Sequence, residues 1–205
     1  MILKKYGQMP NMTSKLSYMK YKLLITIFLF SFLTSCQNNE ILNPVLYFIG
    51  DSHIANWDIE ASFPNHIGIN QGQDGIKIKD IVNIQTTENC TIIIEIGTND
   101  LTSIRTSDEL EIYLLQYTKI INNLMAKNIL ILEVLPTNDI NRNRTIESFN
   151  KELSIQIQNY DRLQVVHIYD HLSRNGTIRS ELSRDGIHLN DYGYRIITNI
   201  VQSQL

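Results

Sequence analysis

Thr91-Ile92-Ile93-Ile94-Glu95-Ile96 is the stretch that decides the fold of this 205-residue chain. The run is strongly β-branched and ends at Gly97, which is typical of a strand. A second run, Val45-Leu46-Tyr47-Phe48-Ile49, also ends at a glycine and has the continuous apolar character of a strand buried on both faces. Such strands belong to parallel sheets that are covered by helices.

Strand and helix patterns alternate along the rest of the chain. Further strands are predicted at residues 66–70, 129–135 and 163–169, helices at 107–125, 145–160 and 191–204, and a loosely helical segment at 76–84. This alternation predicts an α/β fold, a three-layer α/β/α sandwich with a flavodoxin-like, mainly parallel five-stranded sheet. In such folds the working residues lie on the loops that leave the carboxyl ends of the strands.

The N-terminal part of the chain has the order of features of an export signal. Lys20 and Lys22 precede an apolar run at residues 23–30, and small residues then lead to Cys36. The run is shorter than the ~20 residues that span a bilayer, and this order predicts a secretory signal. We therefore expect four segments: an upstream extension (1–18), a lipoprotein signal peptide (19–35), a tether (36–43) and one folded domain (44–205).

Leu33-Thr34-Ser35-Cys36 resembles a bacterial lipobox, the pattern at which the signal is cut and the cysteine receives lipid. It predicts lipidation of Cys36 and an exported lipoprotein, anchored by its lipid in the membrane of the cell envelope, on the periplasmic or the surface face. An uncleaved anchor helix and an ordinary signal peptide with a chance cysteine are the alternatives.

Charge excludes one class of partner. Five of the 18 basic residues and none of the 21 acidic residues precede Cys36, so the rest of the chain has 13 basic and 21 acidic residues and a formal net charge of −8. A domain this acidic has no electrostatic footprint for nucleic acid. It is not attracted to an anionic membrane surface either, so any membrane attachment would come from the lipid.

Four short patches carry the chemistry, and each follows a predicted strand or precedes the last helix. They are Gly50-Asp51-Ser52, Gly72, Gly97-Thr98-Asn99-Asp100 and Asp185-Gly186-Ile187-His188-Leu189. Each patch alone is common in turns. Together, at one edge of a sheet, they supply a serine nucleophile, a histidine base, an acid three residues before it, and hydrogen-bond donors. These are the parts needed for acyl transfer through a serine.

The order of the patches resembles that of the SGNH, or GDSL-like, family of serine hydrolases. The four residues that name the family fall on Ser52, Gly72, Asn99 and His188, and the resemblance extends from about residue 45 to the C-terminus. It implies ester hydrolysis with Ser52, Asp185 and His188 as the catalytic residues. The expected oxyanion hole consists of the Ser52 and Gly72 backbone N–H groups and the Asn99 side-chain amide.

The residue types assign each group a role. Imidazole titrates near neutral pH, so His188 would take the Ser52 proton, and Asp185 would fix the tautomer of the ring. Glycine at position 72 would let the backbone approach the oxyanion without a Cβ in the way.

Two positions depart from the family pattern: His53 stands where the family's nickname has leucine, and Gln71 where arginine is frequent. We expect His53 to face solvent at a helix start, with contact to the substrate as the alternative. Asp51 is expected to hold its loop by hydrogen bonds. The five histidines lack paired ligand spacing, so neither a metal site nor a cofactor is predicted.

The substrate is less determined than the chemistry. The chain has little room for a lid, so we expect a shallow, open site, which suits short acyl groups such as acetyl on carbohydrate. The family also includes lysophospholipases and thioesterases, so the candidate substrates are acylated small molecules, glycans and lipids. Acyl transfer to a sugar hydroxyl and a non-catalytic binding protein of the cell envelope are the alternatives.

Overall fold

Five parallel strands form the central sheet of the computed structural model, which describes residues 44–205. The strands are β1 Val45–Gly50, β2 Ile67–Gly72, β3 Thr91–Glu95, β4 Asn128–Leu132 and β5 Leu163–Val166. Their spatial order is β2-β1-β3-β4-β5, and each adjacent pair is parallel. This is the flavodoxin-like order, so the predicted fold class is confirmed. The predicted extension, signal peptide and tether, with Cys36, lie outside the described residues.

Helices cover both faces of this sheet. Within residues 44–205 the α-helices are α1 Ser52–Ala55, α2 Ile59–Ser62, α3 Thr98–Leu101, α4 Ser107–Asn122, α5 Ile140–Ile157, α6 Tyr169–Leu172 and α7 Asp191–Gln202. Two 3₁₀ turns, Ile78–Ile81 and Ser180–Leu182, and a small hairpin of β6 Ser173–Arg174 and β7 Thr177–Ile178 complete the elements. None of the helices in this part of the chain has the length and apolarity that crossing a bilayer requires.

Alternate side chains of each strand pack into two cores, one on each face of the sheet. On β3, Ile92 and Ile94 join the core beneath α4 and α5, whereas Ile93 joins the core beneath α1, α2 and α7. All three isoleucines are fully buried. Burial of one such side chain contributes about 1.5–3 kcal/mol, so this short run stabilises both helical layers.

Helix α5 begins at Ile140, earlier than the predicted residue 145. The reason is the cap at Asp139, whose Oδ1 accepts hydrogen bonds from the backbone N–H groups of Asn141 (2.9 Å) and Arg142 (3.3 Å). Capping by aspartate starts the helix here although Ile140 is followed by three polar residues.

Strand β4 ends at Leu132, before Glu133, whereas the strand was predicted to extend to residue 135. Beyond the strand, the N–H and C=O groups of Val134 pair with the side chain of the buried Asn150 on α5, at 2.9 and 3.0 Å. The asparagine therefore takes the place of a neighbouring strand and turns the chain towards the next helix.

The carboxyl ends of β1, β2 and β3 meet at one edge of the sheet. Gly50 at the end of β1 lies beside Gly72 of β2 and Glu95 of β3. Ser52 and Asn99 follow β1 and β3 within a few residues, so this register brings three of the predicted site residues to one place.

Candidate active site

The candidate nucleophile, Ser52, occupies the first position of α1, directly after β1. Gly50 permits the turn, because a Cβ there would lie 1.9 Å from the carbonyl oxygen of Glu95. Asp51 then caps the helix, its Oδ1 accepting from the N–H of His53 at 3.1 Å. Ser52 itself is partly exposed, so the turn presents its hydroxyl at the surface.

Ser52, His188 and Asp185 form a chain of hydrogen bonds. His188 Nε2 lies 3.0 Å from Ser52 Oγ, and His188 Nδ1 lies 2.7 Å from Asp185 Oδ2. Because a carboxylate oxygen accepts, Nδ1 carries the proton, and the lone pair of Nε2 is left to accept from the serine hydroxyl. The structure thus brings the three predicted catalytic side chains together in the arrangement that general-base catalysis needs.

Asp185 is held as an anion even though 52% of its side chain is exposed. Its Oδ1 accepts from the backbone N–H groups of Ile187 (2.9 Å) and His188 (2.8 Å). The hydrogen bond from the His188 ring, followed by these backbone bonds, keeps the pKa of the Asp185 carboxyl well below its ordinary value. The acid is therefore ionised throughout the neutral range.

The loop formed by residues 185–188 is held at two consecutive carbonyl groups. The Asn138 N–H, which follows β4, donates to Gly186 O at 2.7 Å. The His53 Nε2, which belongs to α1, lies 3.0 Å from Ile187 O. The loop that carries the acid and the base is thus attached to two separate elements at the edge of the sheet.

His53 does not face solvent, so that prediction is wrong: only 2% of its side chain is exposed. Its Nδ1 lies 3.2 Å from Asp51 Oδ1 and 3.2 Å from Glu95 Oε2, and both carboxylates are buried. The second position of α1 points inwards, onto the end of β3. Glu95 is the residue from which the burial of His53 could have been predicted. A carboxylate within a buried isoleucine strand needs a buried partner.

Within residues 44–205, Asp51, His53 and Glu95 are also the one group of three donor side chains close enough to share a cation. Their separations are those of an ion pair, however, and a proton on His53 Nδ1 faces both carboxylates at 3.2 Å. The three residues therefore form a buried ion pair, although His53 Nδ1 and the Glu95 carboxylate make no hydrogen bond.

Gly72 is required by packing, which differs from the reason predicted. A Cβ at this position would lie 2.3 Å from Ala55 N and 2.7 Å from the carbonyl carbon of Ile54, because the end of β2 rests on the backbone of α1. Its N–H donates to Asn70 Oδ1 at 2.8 Å. The glycine thus positions the helix that carries Ser52 against the sheet. Its N–H, which was predicted to be one of the three oxyanion donors, is already paired with Asn70 in this structure.

Asn99 reaches the nucleophile turn from α3. Its Nδ2 lies 3.1 Å from Ile76 O and 3.4 Å from Asp51 Oδ2. The Ser52 N–H lies in the first turn of α1, where a backbone N–H has no acceptor within the helix. An oxyanion at Ser52 would compete with the longer of the two Asn99 contacts, the one to Asp51.

Comparison with known proteins places this geometry in a family. A model of the GDSL-like Lipase/Acylhydrolase family matches residues 48–196, a span that includes Ser52 and His188. No curated protein sequence matches the chain significantly.

Solved structures share the fold at low sequence identity. A Streptococcus pneumonia protein, provisionally described as a platelet activating factor, aligns with a TM-score of 0.67 and 18% identity over 95% of this chain and 99% of its own. A GDSL-like lipase from Bacteroides thetaiotaomicron aligns with a TM-score of 0.63 and 16% identity, over 78% and 86% of the two chains. A carbohydrate esterase family 3 protein from Talaromyces cellulolyticus aligns with a TM-score of 0.54 and 19% identity, over 78% of this chain and 95% of its own.

The structural similarities show that the fold is shared, and the family model matches well over half of the sequence. The chain belongs to the GDSL-like Lipase/Acylhydrolase family and is accordingly an ester-bond hydrolase.

Proposed function

We propose that the protein hydrolyses esters of short acyl groups, with O-acetyl groups on carbohydrate as the first candidate, through an acyl-enzyme on Ser52. The observation that carries the proposal is the contact of Ser52 Oγ with His188 Nε2 (3.0 Å) and of His188 Nδ1 with Asp185 Oδ2 (2.7 Å). A serine hydroxyl is a poor nucleophile at neutral pH unless an adjacent base accepts its proton. Here the base is in contact and correctly oriented.

The first half of the reaction forms the acyl-enzyme. Ser52 Oγ attacks the ester carbonyl carbon while its proton passes to His188 Nε2, and Asp185 stabilises the imidazolium that results. The Ser52 N–H and the Asn99 amide donate to the negative oxygen of the tetrahedral intermediate. The bond to the leaving-group oxygen then breaks, and that oxygen takes the proton from His188.

The second half regenerates the enzyme. Water gives a proton to His188 Nε2 and attacks the acyl carbonyl carbon. Collapse of this second intermediate breaks the bond to Ser52 Oγ, which recovers the proton, and releases the carboxylic acid.

The exposure of the site supports a small acyl group on a large leaving group. Ser52 is partly exposed, and 31% of the His188 side chain reaches solvent. A sugar can therefore stay largely in solvent while its acetyl group reaches the serine. The likeness to a carbohydrate esterase from Talaromyces cellulolyticus supports the same choice.

A series of esters tests the proposal. p-Nitrophenyl esters from acetyl to palmitoyl, and an acetylated oligosaccharide followed by acetate release, are offered to wild type, to Ser52→Ala and to Ser148→Ala. We expect kcat/KM to be highest for acetyl and to fall with acyl length. Loss of the nucleophile lowers kcat by roughly 10⁶-fold, whereas Ser148, an exposed serine on α5, is replaced without effect.

Other results of this ester series would indicate a different activity or contradict the mechanism. A preference for long acyl chains would replace the short-acyl proposal with a lysophospholipase or thioesterase activity. Acylated sugar in place of free acid would show an acyltransferase. Hydrolysis that does not depend on Ser52 would contradict the proposed mechanism.

We also propose that the protein is an exported lipoprotein, held in the cell envelope by lipid on Cys36. The lipobox-like sequence ahead of Cys36 and the lysines before the apolar run support this proposal. Growth of an expressing bacterium with an alkyne-tagged fatty acid should label the wild type and Cys90→Ala but not Cys36→Ser. Label that persists in Cys36→Ser would contradict the proposal.

A further inference from the structure

One side chain joins the nucleophile turn to the loop that carries the acid and the base. His53 follows Ser52 directly, and its Nε2 lies 3.0 Å from the carbonyl oxygen of Ile187, 134 residues further along the chain. A carbonyl oxygen only accepts, so Nε2 carries a hydrogen and donates it. Ile187 immediately precedes His188, so this bond acts on the backbone that aims the catalytic imidazole.

The opposite side of the ring is enclosed by acid. His53 Nδ1 lies 3.2 Å from Asp51 Oδ1 and 3.2 Å from Glu95 Oε2. Asp51, His53 and Glu95 are all at most 2% exposed. Within residues 44–205, His53 Nδ1 and both carboxylate oxygens of Glu95 have no hydrogen-bond partner, so the contact between them is an ion pair. His53 is thus the group that offsets the cost of burying this carboxylate.

We propose that His53 is a positioning residue for ester hydrolysis: its Nε2–H holds the Ile187 carbonyl and so the orientation of His188, while Asp51 and Glu95 hold its ring in place. The inference rests on the proposed function of Ser52 and His188. It assigns the buried carboxylates an indirect part in catalysis, because they support the ring that anchors the loop.

The charges around the ring favour its protonated form. Burial alone would lower the pKa of His53, but the charge of Glu95 and the contacts with Asp51 outweigh it and raise the pKa well above its ordinary value. The other titratable groups that face the residue are His188, whose ring centre lies 5.7 Å away, and Tyr194 of α7, whose hydroxyl donates to the His53 carbonyl. A ring protonated on both nitrogens donates to the loop through Nε2 and places its positive charge beside the two carboxylates.

The test combines kinetics with hydrogen exchange. His53→Leu removes both contacts, and we expect kcat for the acetyl ester to fall about 10²-fold, the usual cost of a misplaced catalytic group, with a much smaller change in KM. Exchange of the amides at residues 185–189, followed by mass spectrometry, should accelerate. His171→Leu, at an exposed histidine on α6, should leave both measurements unchanged.

Two further variants separate anchoring from folding. His53→Leu with Glu95→Gln leaves no unpaired carboxylate at position 95, so it should fold with wild-type circular dichroism and still show the faster exchange and the lower kcat. His53→Gln, which can place an N–H where Nε2 stands, should recover part of both.

The two measurements, kcat and amide exchange, also distinguish a failure of the positioning role from a failure of the proposed function. Unchanged exchange in the double variant, or faster exchange with unchanged kcat, would overturn the positioning role. If the wild type itself shows no hydrolysis that depends on Ser52, the proposed function fails, and the exchange data still decide whether His53 anchors the loop.

Discussion

Asn99 is the residue whose contribution to the reaction can be measured most cleanly. Its amide lies at the nucleophile turn, with Nδ2 3.4 Å from Asp51 Oδ2. We expect Asn99→Ala to lower kcat by about 10²–10³, the usual cost of one oxyanion donor, with little change in KM. Steady-state kinetics with the acetyl ester provide the measurement, and Asn123→Ala, an exposed site after α4, is the control. A kcat within twofold of wild type would remove Asn99 from the oxyanion hole.

Asp185 differs from Asn99 because the role proposed for it depends on its charge beside His188. Replacement by asparagine keeps the size of the side chain but removes the charge that stabilises the imidazolium, so we expect kcat to fall by roughly 10²–10⁴. Asp191→Asn, at an exposed aspartate that begins α7, should retain full activity. Equal activity in Asp185→Asn and wild type would show that another group orients the base.

The pH dependence follows from the depressed pKa of Asp185. A carboxyl whose pKa is lower in the folded state stabilises the fold above its ordinary pKa and loses that contribution as the pH falls. We therefore expect the difference in stability between wild type and Asp185→Asn, measured by urea unfolding, to shrink as the pH falls from about 5 towards 2. A difference that stays constant over this acid range would contradict the depressed pKa of Asp185.

At the scale of elements, α4 begins with a capping box whose strength can be measured. Thr106 Oγ1 accepts from the Glu109 N–H at 3.2 Å, and Glu109 Oε2 accepts from the Thr106 N–H at 3.1 Å. We expect Thr106→Ala to lower the free energy of unfolding by about 1 kcal/mol without changing kcat, because α4 lies outside the triad. Urea unfolding checks the first point. The exposed neighbour Ser107→Ala should be neutral, and an equal loss there would contradict the capping role.

The elements were largely predictable where the side-chain pattern alone specifies them. β1, β3 and α4 stand close to their predicted bounds because continuous apolar runs and a helical stripe leave few alternatives. The start of α5 and the end of β4 were not predictable from the sequence. They depend on hydrogen bonds with the side chains of Asp139 and Asn150, which form only in the folded chain. Four-residue helices such as α1 are too short to show a period.

In the candidate site, too, some features follow from the sequence order and others depend on contacts between distant elements. The proximity of Ser52, Asp185 and His188 was predictable from their order. Ser52 follows a strand, Asp185 and His188 precede the last helix, and the sheet topology brings these two places together. The burial of His53 was missed because it depends on Glu95, a residue of another strand whose partner no local pattern reveals. The packing role of Gly72 against α1 is likewise a contact between distant elements.

At the scale of the whole molecule, the buried group of Asp51, His53 and Glu95 should make stability depend on pH. Burial, and then the charge of Asp51, raises the pKa of Glu95 to about 7, and the pKa of His53 is raised as well. The folded state therefore keeps a proton that the unfolded chain releases, so this group's contribution falls as the pH rises from about 5 through 7 and beyond.

Glu95→Gln removes part of that dependence. We expect the free energy of unfolding, measured in urea at pH 5, 7 and 9, to decline less steeply in this variant than in wild type. Glu88→Gln, at an exposed glutamate, should follow the wild-type slope. Parallel slopes for Glu95→Gln and wild type would show that Glu95 does not contribute to holding the proton.

The flavodoxin-like sheet brings residues more than 130 positions apart into one hydrogen-bonded chain, and we infer that this chain activates Ser52. Reaction of the full-length protein with a fluorophosphonate, followed by peptide mass mapping, tests it without any choice of acyl group. We expect a single adduct on Ser52 that is absent from Ser52→Ala. A folded wild-type protein that gains no adduct, or gains it on a different serine, would contradict it.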